Sequence, residues 1–372
     1  MADQIEPNRL ILDCQQPAKW PPAKTEYEQQ ALAFCQSWVA GQESFVLKTS
    51  GSTGTPKPIS LNRQQMRASA QLTGLTFGLQ AGDEALVCLN VQYIAGIMML
   101  VRGMELGLRL TVVEPVAQPL EGLQNPVFDF AAFVPLQLQT ILTQSPESRP
   151  ILDRMKAILV GGAAVSPSLA EQLQTLKVPV YSTYGMTETV SHIAIRRVNG
   201  PEASDVFSVL NGVEVGVDER SCLHITAAAT NFQRQQTNDV VELLEQKEDR
   251  FTAFRLIGRA DSIINSGGVK IQPELIERVV ADALTRSGDS RRLFIAGLPD
   301  ERLGQRVVLV TEGPPLAEEA IRVIQEQTRS ELGAYFVPKA VLAVPVFAET
   351  PTGKIDKKEI LRILSQKEQE EA

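Results

Sequence analysis

The sequence predicts an α/β protein in which a large N-terminal domain, built on a parallel sheet with a small β layer, precedes a small α+β C-terminal domain. The chain has 372 residues, of which 44% are hydrophobic and 22% charged, enough for two domains with a substantial core. Short apolar segments alternate with helical periods over residues 62–182, and the helical period disappears between 199 and 244. A polar joint at 258–261 predicts a boundary between residues 1–260 and 261–372.

The elements of the first domain follow in order. Residues 1–24 carry Pro17, Pro21 and Pro22 and are predicted to be irregular, whereas 26–39 has the apolar period of a helix. Strands and helices are then predicted at 44–47, 62–73, 84–90, 95–106, 109–113, 130–133, 136–143, 155–160, 167–176 and 180–182. This alternation is typical of a largely parallel sheet, whose ligand sites lie in loops beyond the strand ends.

The pattern changes after Asn199. The β-prone segments that follow have no helical period between them, so they predict a small antiparallel layer or a partial barrel; they are 206–210, 213–217, 222–227 and 240–244. Beyond the boundary the sequence predicts helices at 273–285, 317–332 and 357–365, with strands at 293–298, 306–312 and 340–344. These elements form an α+β unit large enough to fold alone.

Composition excludes several classes of function. A net charge of −8 argues against nucleic-acid binding, so any anion site must be local. The four cysteines are not at metal-ligand spacing and fit reduced thiols in the cytoplasm. The start of the chain has no signal-peptide pattern, and the longest apolar run, 85–101, contains Asn90 and Gln92, which argues against stable membrane insertion. Only His192 and His224 occur, so the chemistry is expected to use lysine, hydroxyls, carboxylates and backbone.

Residues 48–58 have the composition of a phosphate-binding loop. The segment combines hydroxyls, Gly51, Gly54 and Lys57 directly after a predicted strand. Glycines let the backbone approach an anion, and hydroxyls and backbone N–H groups donate to its oxygens. Lys57 stands between two prolines, which does not fit a Walker loop. A Ser/Gly-rich linker is the alternative.

Two further segments follow predicted strands. Residues 161–163 are Gly-Gly-Ala, where a flat ring could lie against the backbone, although a plain strand-to-helix turn explains them as well. Residues 184–189 combine an aromatic ring, a glycine, hydroxyls and Glu188, a set that suits a nucleotide with its magnesium ion. The alternative is an ordinary helix start capped by Thr187.

Two segments in the C-terminal part complete the set. Residues 258–271 contain a polar joint and then Gly267-Gly268 between apolar pairs, which predicts a tight hairpin. Residues 350–358 form a loop held by Pro351 and Gly353, with Asp356 as the cap of the last helix. Lys354 lies in this loop, where a solvated lysine is the usual case.

Together and in this order, these segments closely resemble the adenylate-forming superfamily of acyl-CoA synthetases, peptide-synthetase adenylation domains and luciferases. Residues 49–57 match its Thr-Ser-Gly-Ser-Thr-Gly-x-Pro-Lys signature and 184–188 its Tyr-Gly-x-Thr-Glu signature. Residues 258–271 match its Gly-Arg-x-Asp hinge and glycine loop, and 351–354 its terminal catalytic-lysine motif. The resemblance implies ATP, Mg²⁺ and coenzyme A as ligands. It also implies that a carboxylic acid is activated as an acyl adenylate and then transferred to a thiol.

The resemblance also implies roles for individual residues. Lys354 would bridge the acid and the α-phosphate, Thr187 would hold a phosphate oxygen and Glu188 would hold magnesium. Asp261 would be the hinge about which a mobile C-terminal domain swings. The implied nucleotide- and coenzyme-binding residues are Thr49, Ser50, Gly51, Ser52, Thr53, Gly54, Lys57, Gly162, Ala163, Tyr184, Gly185, Asp239, Arg259, Gly267 and Gly268.

The sequence departs from the family pattern in three places. The phosphate loop begins at residue 49, so most of an N-terminal subdomain is expected to be missing. Residues 237–239 are Thr-Asn-Asp where the family has Thr-Gly-Asp, and 92–96 lack the histidine that many members have in the acyl pocket.

The expected acid carries a second carboxylate. Arg102 follows the apolar run 97–101, and burying an arginine is costly unless an anion meets it; an arginine that snorkels from a helix end is the alternative. Segments 93–102 and 187–194 look like those of the short o-succinylbenzoate:CoA ligases of menaquinone biosynthesis. This resemblance implies o-succinylbenzoate as the acid, with Arg102 and His192 at its distal carboxylate and keto side. The implied acid-binding residues are Tyr93, Gly96, Arg102, Ser191 and His192.

Two other functions stay open at this point. One is a ligase for a different aryl or short-chain acid. The other is a noncatalytic nucleotide-binding module, which the short N-terminal region favours. Lys57, Glu188 and Lys354 argue against the module, because a binding protein needs no lysine beyond a hinge. A homo-oligomer is compatible with the sequence, which does not reveal the oligomeric state.

Overall fold

The structure is a computed structural model that describes residues 9–48, 58–123, 126–248, 250–350 and 355–370. The strands up to residue 259 are β1 (Leu10–Asp13), β2 (Ser44–Lys48), β3 (Pro58–Asn62), β4 (Glu84–Val87), β5 (Arg109–Val112), β6 (Phe130–Phe133), β7 (Ala157–Val160), β8 (Val180–Gly185), β9 (His192–Arg197), β10 (Val206–Val209), β11 (Glu214–Val217), β12 (Cys222–Thr226), β13 (Gln235–Lys247) and β14 (Arg250–Arg259). The helices of the same part are α1 (Glu26–Val39), α2 (Arg63–Phe77), α3 (Ile94–Leu106), α4 (Pro135–Gln144), α5 (Arg149–Leu152) and α6 (Pro167–Leu173).

Twelve of these strands form one mixed sheet in the order β1-β5-β4-β6-β7-β8-β9-β10-β14-β13-β12-β11. Its β5-β4-β6-β7-β8 half is parallel. The other half is antiparallel and begins where β9 pairs with β8. The large α/β domain predicted from the sequence is confirmed, and its β layer continues the edge of the parallel sheet instead of standing apart from it.

The parallel strands are apolar because both of their faces are buried. In β4, Ala85 and Val87 face a core that includes Ala31 of α1 and Leu100 of α3. Leu86 faces the opposite core, which is formed with α4 and α6. Alternate residues of one strand therefore pack against two layers of helices, one on each face of the sheet.

Side-chain caps and glycines set the helix ends near the site. The Asn62 side chain accepts a hydrogen bond from the Gln65 N–H, and the Gln65 side chain accepts one from the Asn62 N–H, which starts α2. The helix ends at Gly78, which adopts a left-handed conformation with φ 62°. The sequence prediction ended this helix at 73, one turn too early.

The sequence analysis missed four strands, β1, β3, β9 and β14. Residues 1–24 were predicted to be irregular, but β1 pairs antiparallel with β5 and buries Leu10 and Leu12. Strand β9 was also not predicted, although it joins the parallel half of the sheet to the antiparallel half. Strand β1 forms because it pairs with a strand that is distant in sequence, which overrides a weak local pattern.

The C-terminal part has a separate five-stranded sheet. Its strands are β15 (Ile264–Ser266), β16 (Val269–Ile271), β17 (Leu293–Asp300), β18 (Gly304–Glu312) and β19 (Ala340–Val344), and its helices are α7 (Pro273–Arg286), α8 (Glu318–Leu332) and α9 (Lys357–Glu370). The chain passes from one sheet to the other between Arg259 and Ile264. The division at 260/261 and the mobility of this part stay predictions. Within the described ranges, no helix is both long and apolar enough to cross a membrane.

Candidate active site

The two ends of the predicted phosphate loop are joined by a hairpin. Strands β2 and β3 pair antiparallel, with Lys48 opposite Pro58. The predicted strand before the loop is therefore confirmed. The predicted binding residues Thr49, Ser50, Gly51, Ser52, Thr53, Gly54 and Lys57 lie outside the described residues.

Four of the predicted nucleotide-binding residues, Gly162, Ala163, Tyr184 and Gly185, lie at the carboxyl ends of β7 and β8. These neighbouring parallel strands pair with Val160 opposite Ser182, which places 161–163 beside 183–185. Gly161 lies so close to Thr183 that an added Cβ would stand 2.6 Å from the threonine hydroxyl. Gly162 has a φ of 85°, which favours glycine, and both Gly162 and Ala163 are exposed.

Tyr184, Asp239, Arg259 and Asp261 form one continuous chain of polar contacts. The Tyr184 hydroxyl donates to Asp239 Oδ2 at 2.5 Å, and Arg259 donates to Asp239 Oδ1 at 3.0 Å. Arg259 also forms a bidentate ion pair with Asp261, in which Nε donates to Oδ1 at 2.9 Å and Nη2 donates to Oδ2 at 2.8 Å. The pairing of Asp239 with Arg259 across β13 and β14 sets this geometry. The structure thus brings together the predicted adenine, ribose and hinge residues.

The Tyr184 ring makes edge-to-face contacts with two other aromatic rings. It packs against Phe207 and Phe254 with centroid distances of 5.8 and 5.2 Å. Burial, together with the nearby Asp239 carboxylate, raises the pKa of Tyr184 well above its usual range. The phenol therefore stays neutral and serves as a donor to Asp239.

Gly185 is needed for the close approach of two chain segments. Strand β8 has an irregularity at this position and Gly185 pairs with His192. An added Cβ would lie 2.2 Å from the carbonyl oxygen of Ser191, where no side chain fits. The glycine of the predicted motif thus brings the nucleotide segment next to the segment that carries Ser191 and His192.

Residues 187–189 form a short 3-10 turn rather than the start of a longer helix. Thr187 is buried in it, whereas Glu188 is exposed and, within the described part of the chain, forms no ion pair or side-chain hydrogen bond. Thr189 fixes the turn because its hydroxyl accepts from the Met186 N–H at 3.0 Å and lies 2.9 Å from the Ser191 carbonyl.

Glu188 fits the predicted magnesium site. Mg²⁺ takes one or two carboxylates and fills its octahedron with phosphate oxygens and water. An exposed carboxylate with no protein partner provides such a ligand. Among the described residues no group of three His, Cys, Asp or Glu side chains could hold a metal ion.

Val190 connects this turn to the predicted acid-binding residues through a strained backbone. Its φ and ψ are 65° and −54°, and the Ser191 N–H donates to the Thr189 carbonyl at 2.7 Å, which defines a γ-turn. A β-branched residue at positive φ is a strained outlier. Sequence reasoning did not find Val190 or Thr189 as site residues, because only the backbone conformation distinguishes them.

Arg102, Ser191 and His192, which were predicted to bind the acid, contact one another in a cluster. Arg102 is 2% exposed and donates to Ser191 Oγ at 2.7 Å and to Thr73 Oγ1 at 3.2 Å. Its third neighbour is the weak acceptor Met99 Sδ at 3.4 Å. Among the described residues no carboxylate pairs with this guanidinium, and burial lowers the pKa of Arg102 to about 10.

His192 completes the cluster in its neutral form. Its Nδ1 lies 3.3 Å from Ser191 Oγ and its Nε2 lies 3.4 Å from Thr73 Oγ1. Burial, with a smaller contribution from Arg102, lowers the pKa of His192 to about 3. Thr73 was not found from the sequence, since it lies on α2 and only tertiary packing brings it to Arg102.

Tyr93 and Gly96 lie at the start of α3, the helix that carries Arg102. An added Cβ on Gly96 would stand 2.4 Å from the Asn90 carbonyl oxygen, so close packing explains this glycine without a ligand. Within the described residues, no hydrogen bond joins Tyr93 or Gly96 to the Arg102 cluster. Their contact with the acid stays a prediction.

The glycine loop of the C-terminal part is a tight hairpin. Gly267 and Gly268 connect β15 to β16 with φ values of 58° and 81°. The hairpin predicted from the sequence is therefore confirmed, whereas its contact with coenzyme A stays a prediction.

Lys354 lies outside the described residues, but the chain on both sides of it is held in place. Glu349 forms an antiparallel bridge with Ile355, and the Asp356 N–H donates to the Ala348 carbonyl at 2.8 Å. Asp356 also accepts from the Glu359 N–H at 3.1 Å, which confirms it as the cap of α9.

Comparisons with known proteins identify the family to which this fold belongs. Residues 3–220 match the model of the family described as AMP-binding enzyme. The chain belongs to that family.

Three proteins illustrate the likeness. The 2-succinylbenzoate–CoA ligase of Escherichia coli K12 is 31% identical over 307 residues, which cover 78% of this chain and 64% of the relative. A solved structure from Dyadobacter fermentans, described as an acyl-CoA synthetase (AMP-forming)/AMP-acid ligase II-like protein, is 46% identical with a TM-score of 0.65 and covers 96% of this chain and 99% of its own. An E. coli MenE variant with bound OSB-AMS is 26% identical with a TM-score of 0.63, over 86% of this chain and 68% of that one. The chain thus spans about two thirds of the E. coli proteins but nearly all of the Dyadobacter protein.

Proposed function

We propose that this protein is an AMP-forming acid:CoA ligase that converts o-succinylbenzoate to o-succinylbenzoyl-CoA in menaquinone biosynthesis. In the first half-reaction a carboxylate oxygen of the acid attacks the α-phosphorus of ATP, and the bond to the leaving pyrophosphate breaks. In the second, the sulfur of coenzyme A attacks the acyl carbon and AMP leaves with the electron pair. The thiol proton is released, so atoms and charge balance in both steps.

The nucleotide roles follow the polar chain at the end of β8. In this proposal Tyr184 stacks on adenine, while Asp239 and Arg259 bind the ribose. A carboxylate held between a neutral phenol and a guanidinium is suited to accept from ribose hydroxyls. Thr187 and the phosphate loop hold the phosphates, and Glu188 holds a magnesium ion that neutralises their charge. Gly267 and Gly268 approach coenzyme A after the C-terminal part has turned about Asp261.

The proposed role of Lys354 is electrostatic. Two anions, the acid and the α-phosphate, must approach each other, and a desolvated cation between them lowers the barrier. The described residues on either side of the predicted lysine motif, Glu349 and Ile355, form an antiparallel bridge.

The observation that carries the choice of acid is the buried, anion-free Arg102. Burying a guanidinium without an anion is costly, and the described partners are two hydroxyls and a thioether. A substrate carboxylate would provide the missing anion through charge-assisted hydrogen bonds. o-Succinylbenzoate has a second carboxylate in addition to the one that is activated. The names of the relatives, at 26–31% identity, support the same acid.

The experiment measures pyrophosphate release with ATP, Mg²⁺ and a panel of acids that includes o-succinylbenzoate and benzoate. We expect o-succinylbenzoate to be preferred, and Lys354→Ala to lower its rate about a hundredfold or more. Lys177→Ala is the matched control. Lys177 is exposed and precedes β8, so it lies near the amino end of this strand, whereas the site lies at its carboxyl end.

Each alternative has its own outcome. Preference for a monoacid would favour a different aryl or short-chain acid ligase. Absence of pyrophosphate release with every acid, together with ATP binding, would favour the noncatalytic nucleotide-binding module.

A further inference from the structure

Thr73 links the two groups that the proposed acid site relies on. It lies in α2 and is 1% exposed. Its hydroxyl oxygen is 3.2 Å from Arg102 Nε and 3.4 Å from His192 Nε2. It also lies 3.0 Å from the Ser69 carbonyl, one helical turn earlier.

The directions of these hydrogen bonds follow from the chemistry of each group. Arginine can only donate, so Thr73 Oγ1 and Ser191 Oγ both accept from Arg102. The Ser69 carbonyl can only accept, and at 3.0 Å it lies closer to Thr73 Oγ1 than His192 Nε2 does at 3.4 Å, so we assign the single hydroxyl hydrogen of Thr73 to this carbonyl. Thr73 therefore has no hydrogen left to give to His192.

This leaves one arrangement for the imidazole. His192 Nε2 must carry the hydrogen and donate to Thr73, and Nδ1 must be the acceptor. The hydroxyl hydrogen of Ser191 then points at Nδ1, at 3.3 Å. Each hydroxyl donates once and accepts at least once, so the buried network is closed.

We propose that Thr73 is a positioning residue: its hydroxyl fixes His192 as the neutral Nε2–H tautomer and holds the Arg102 guanidinium in place. With Ser191 and Thr73 occupying one N–H each, the other guanidinium hydrogens of Arg102 meet only Met99 Sδ among the described residues. They are left for the second carboxylate of the acid. This consequence rests on the proposed function, whereas the tautomer belongs to the ligand-free protein.

The test begins with ¹⁵N NMR of the ligand-free protein labelled in histidine. Only His192 and His224 are present, so a His224→Gln variant assigns both imidazoles. We expect His192 to be neutral with the hydrogen on Nε2. We expect Thr73→Val to shift it toward the Nδ1–H form, and Thr73→Ser to restore Nε2–H. A protonated or Nδ1–H His192 in the unmodified protein would overturn the proposal.

The second measurement is kinetic. Thr73→Val is expected to raise KM for o-succinylbenzoate about tenfold or more while KM for ATP stays within about twofold, because only the acid meets Arg102. Thr76→Val is the matched control, since Thr76 bonds the carbonyl one turn back on the same helix but is exposed and contacts no site residue. Equal rises in both KM values, or equal effects of the two variants, would assign Thr73 a merely structural role.

The two proposals fail separately. If the unmodified protein activates no acid, the proposed function fails. The NMR measurement of the His192 tautomer still tests the role of Thr73, because it uses the ligand-free protein.

Discussion

The Tyr184 hydroxyl and the Asp239 carboxylate meet at 2.5 Å although they are 55 positions apart in the chain. Tyr184 ends a parallel strand of the large sheet, and Asp239 lies on β13 in its antiparallel half. The contact therefore depends on the turn from parallel to antiparallel pairing at β9. It connects the surface predicted for adenine to the carboxylate predicted for ribose.

Removing the hydroxyl tests this contact. Tyr184→Phe keeps the ring but leaves one Asp239 oxygen without its donor. We expect the free energy of unfolding to fall by about 1–2 kcal/mol and KM for ATP to rise several-fold, because the carboxylate is no longer held in place. Denaturant unfolding and initial rates measure the two effects. Tyr335→Phe, at an exposed ring, is expected to change neither, and an unchanged KM in Tyr184→Phe would contradict a role in nucleotide binding.

Replacing Arg102 by methionine separates stability from function. The buried charge has no acidic partner among the described residues, so we expect the free energy of unfolding to stay constant or rise by about 1 kcal/mol. KM for o-succinylbenzoate should rise at least about thirtyfold, because the second carboxylate loses its cation. KM for a monoacid such as benzoate should change little.

Arg154→Met removes an exposed guanidinium and serves as the control for the loss of a charge. A strongly destabilised Arg102→Met would show that the arginine is structural. Equal rises in KM for the diacid and the monoacid would contradict recognition of the second carboxylate.

We expect the buried imidazole of His192 to make the folded protein less stable in acid. Burial lowers its pKa from 6.5 to about 3, so between these values the unfolded chain binds a proton that the folded protein excludes. Stability is full above pH 6.5 and falls as the pH decreases toward 3, with a slope that approaches about 1.4 kcal/mol per pH unit. His192→Gln should remove this slope from the unfolding free energy measured at several pH values.

His224→Gln is the comparison, because the pKa of His224 is also lowered, mainly by burial. The difference between the two variants isolates the buried imidazole. An unchanged acid slope in His192→Gln would show that His192 is protonated in the folded protein.

We expect Arg292 to affect the proposed reaction through the described chain next to Lys354. It binds Glu312 with two contacts of 2.6 Å and also pairs with Glu349, which bridges to Ile355 beyond the lysine. Arg292→Ala should lower kcat for adenylate formation about tenfold while KM for ATP stays nearly constant, since the lysine acts in the transition state. Arg322→Ala removes an exposed arginine of α8 and is the control. A change in KM without a change in kcat would contradict this role.

Local patterns were sufficient to predict most elements of the fold. The helix at 26–39 and the strands at 130–133 and 340–344 were predicted with the bounds that the structure has. These segments have strong apolar periods, and α1 also has a capping box. Strand β1 escaped because its four residues gain their stability from pairing with β5, nearly a hundred positions later.

For the site, motif chemistry predicted which residue types suit a nucleotide, and the family resemblance added Arg102, Ser191 and His192 as acid-binding residues. Phosphate binding, carboxylate recognition and tight turns each require particular side chains or glycines at short spacing, and such requirements are visible in sequence. Only the tertiary structure could add Thr73, the strained Val190 and the directions of the hydrogen bonds. Those depend on which atoms meet across α2, α3 and β9, and the burial that shifts the pKa of His192 exists only once these elements have packed.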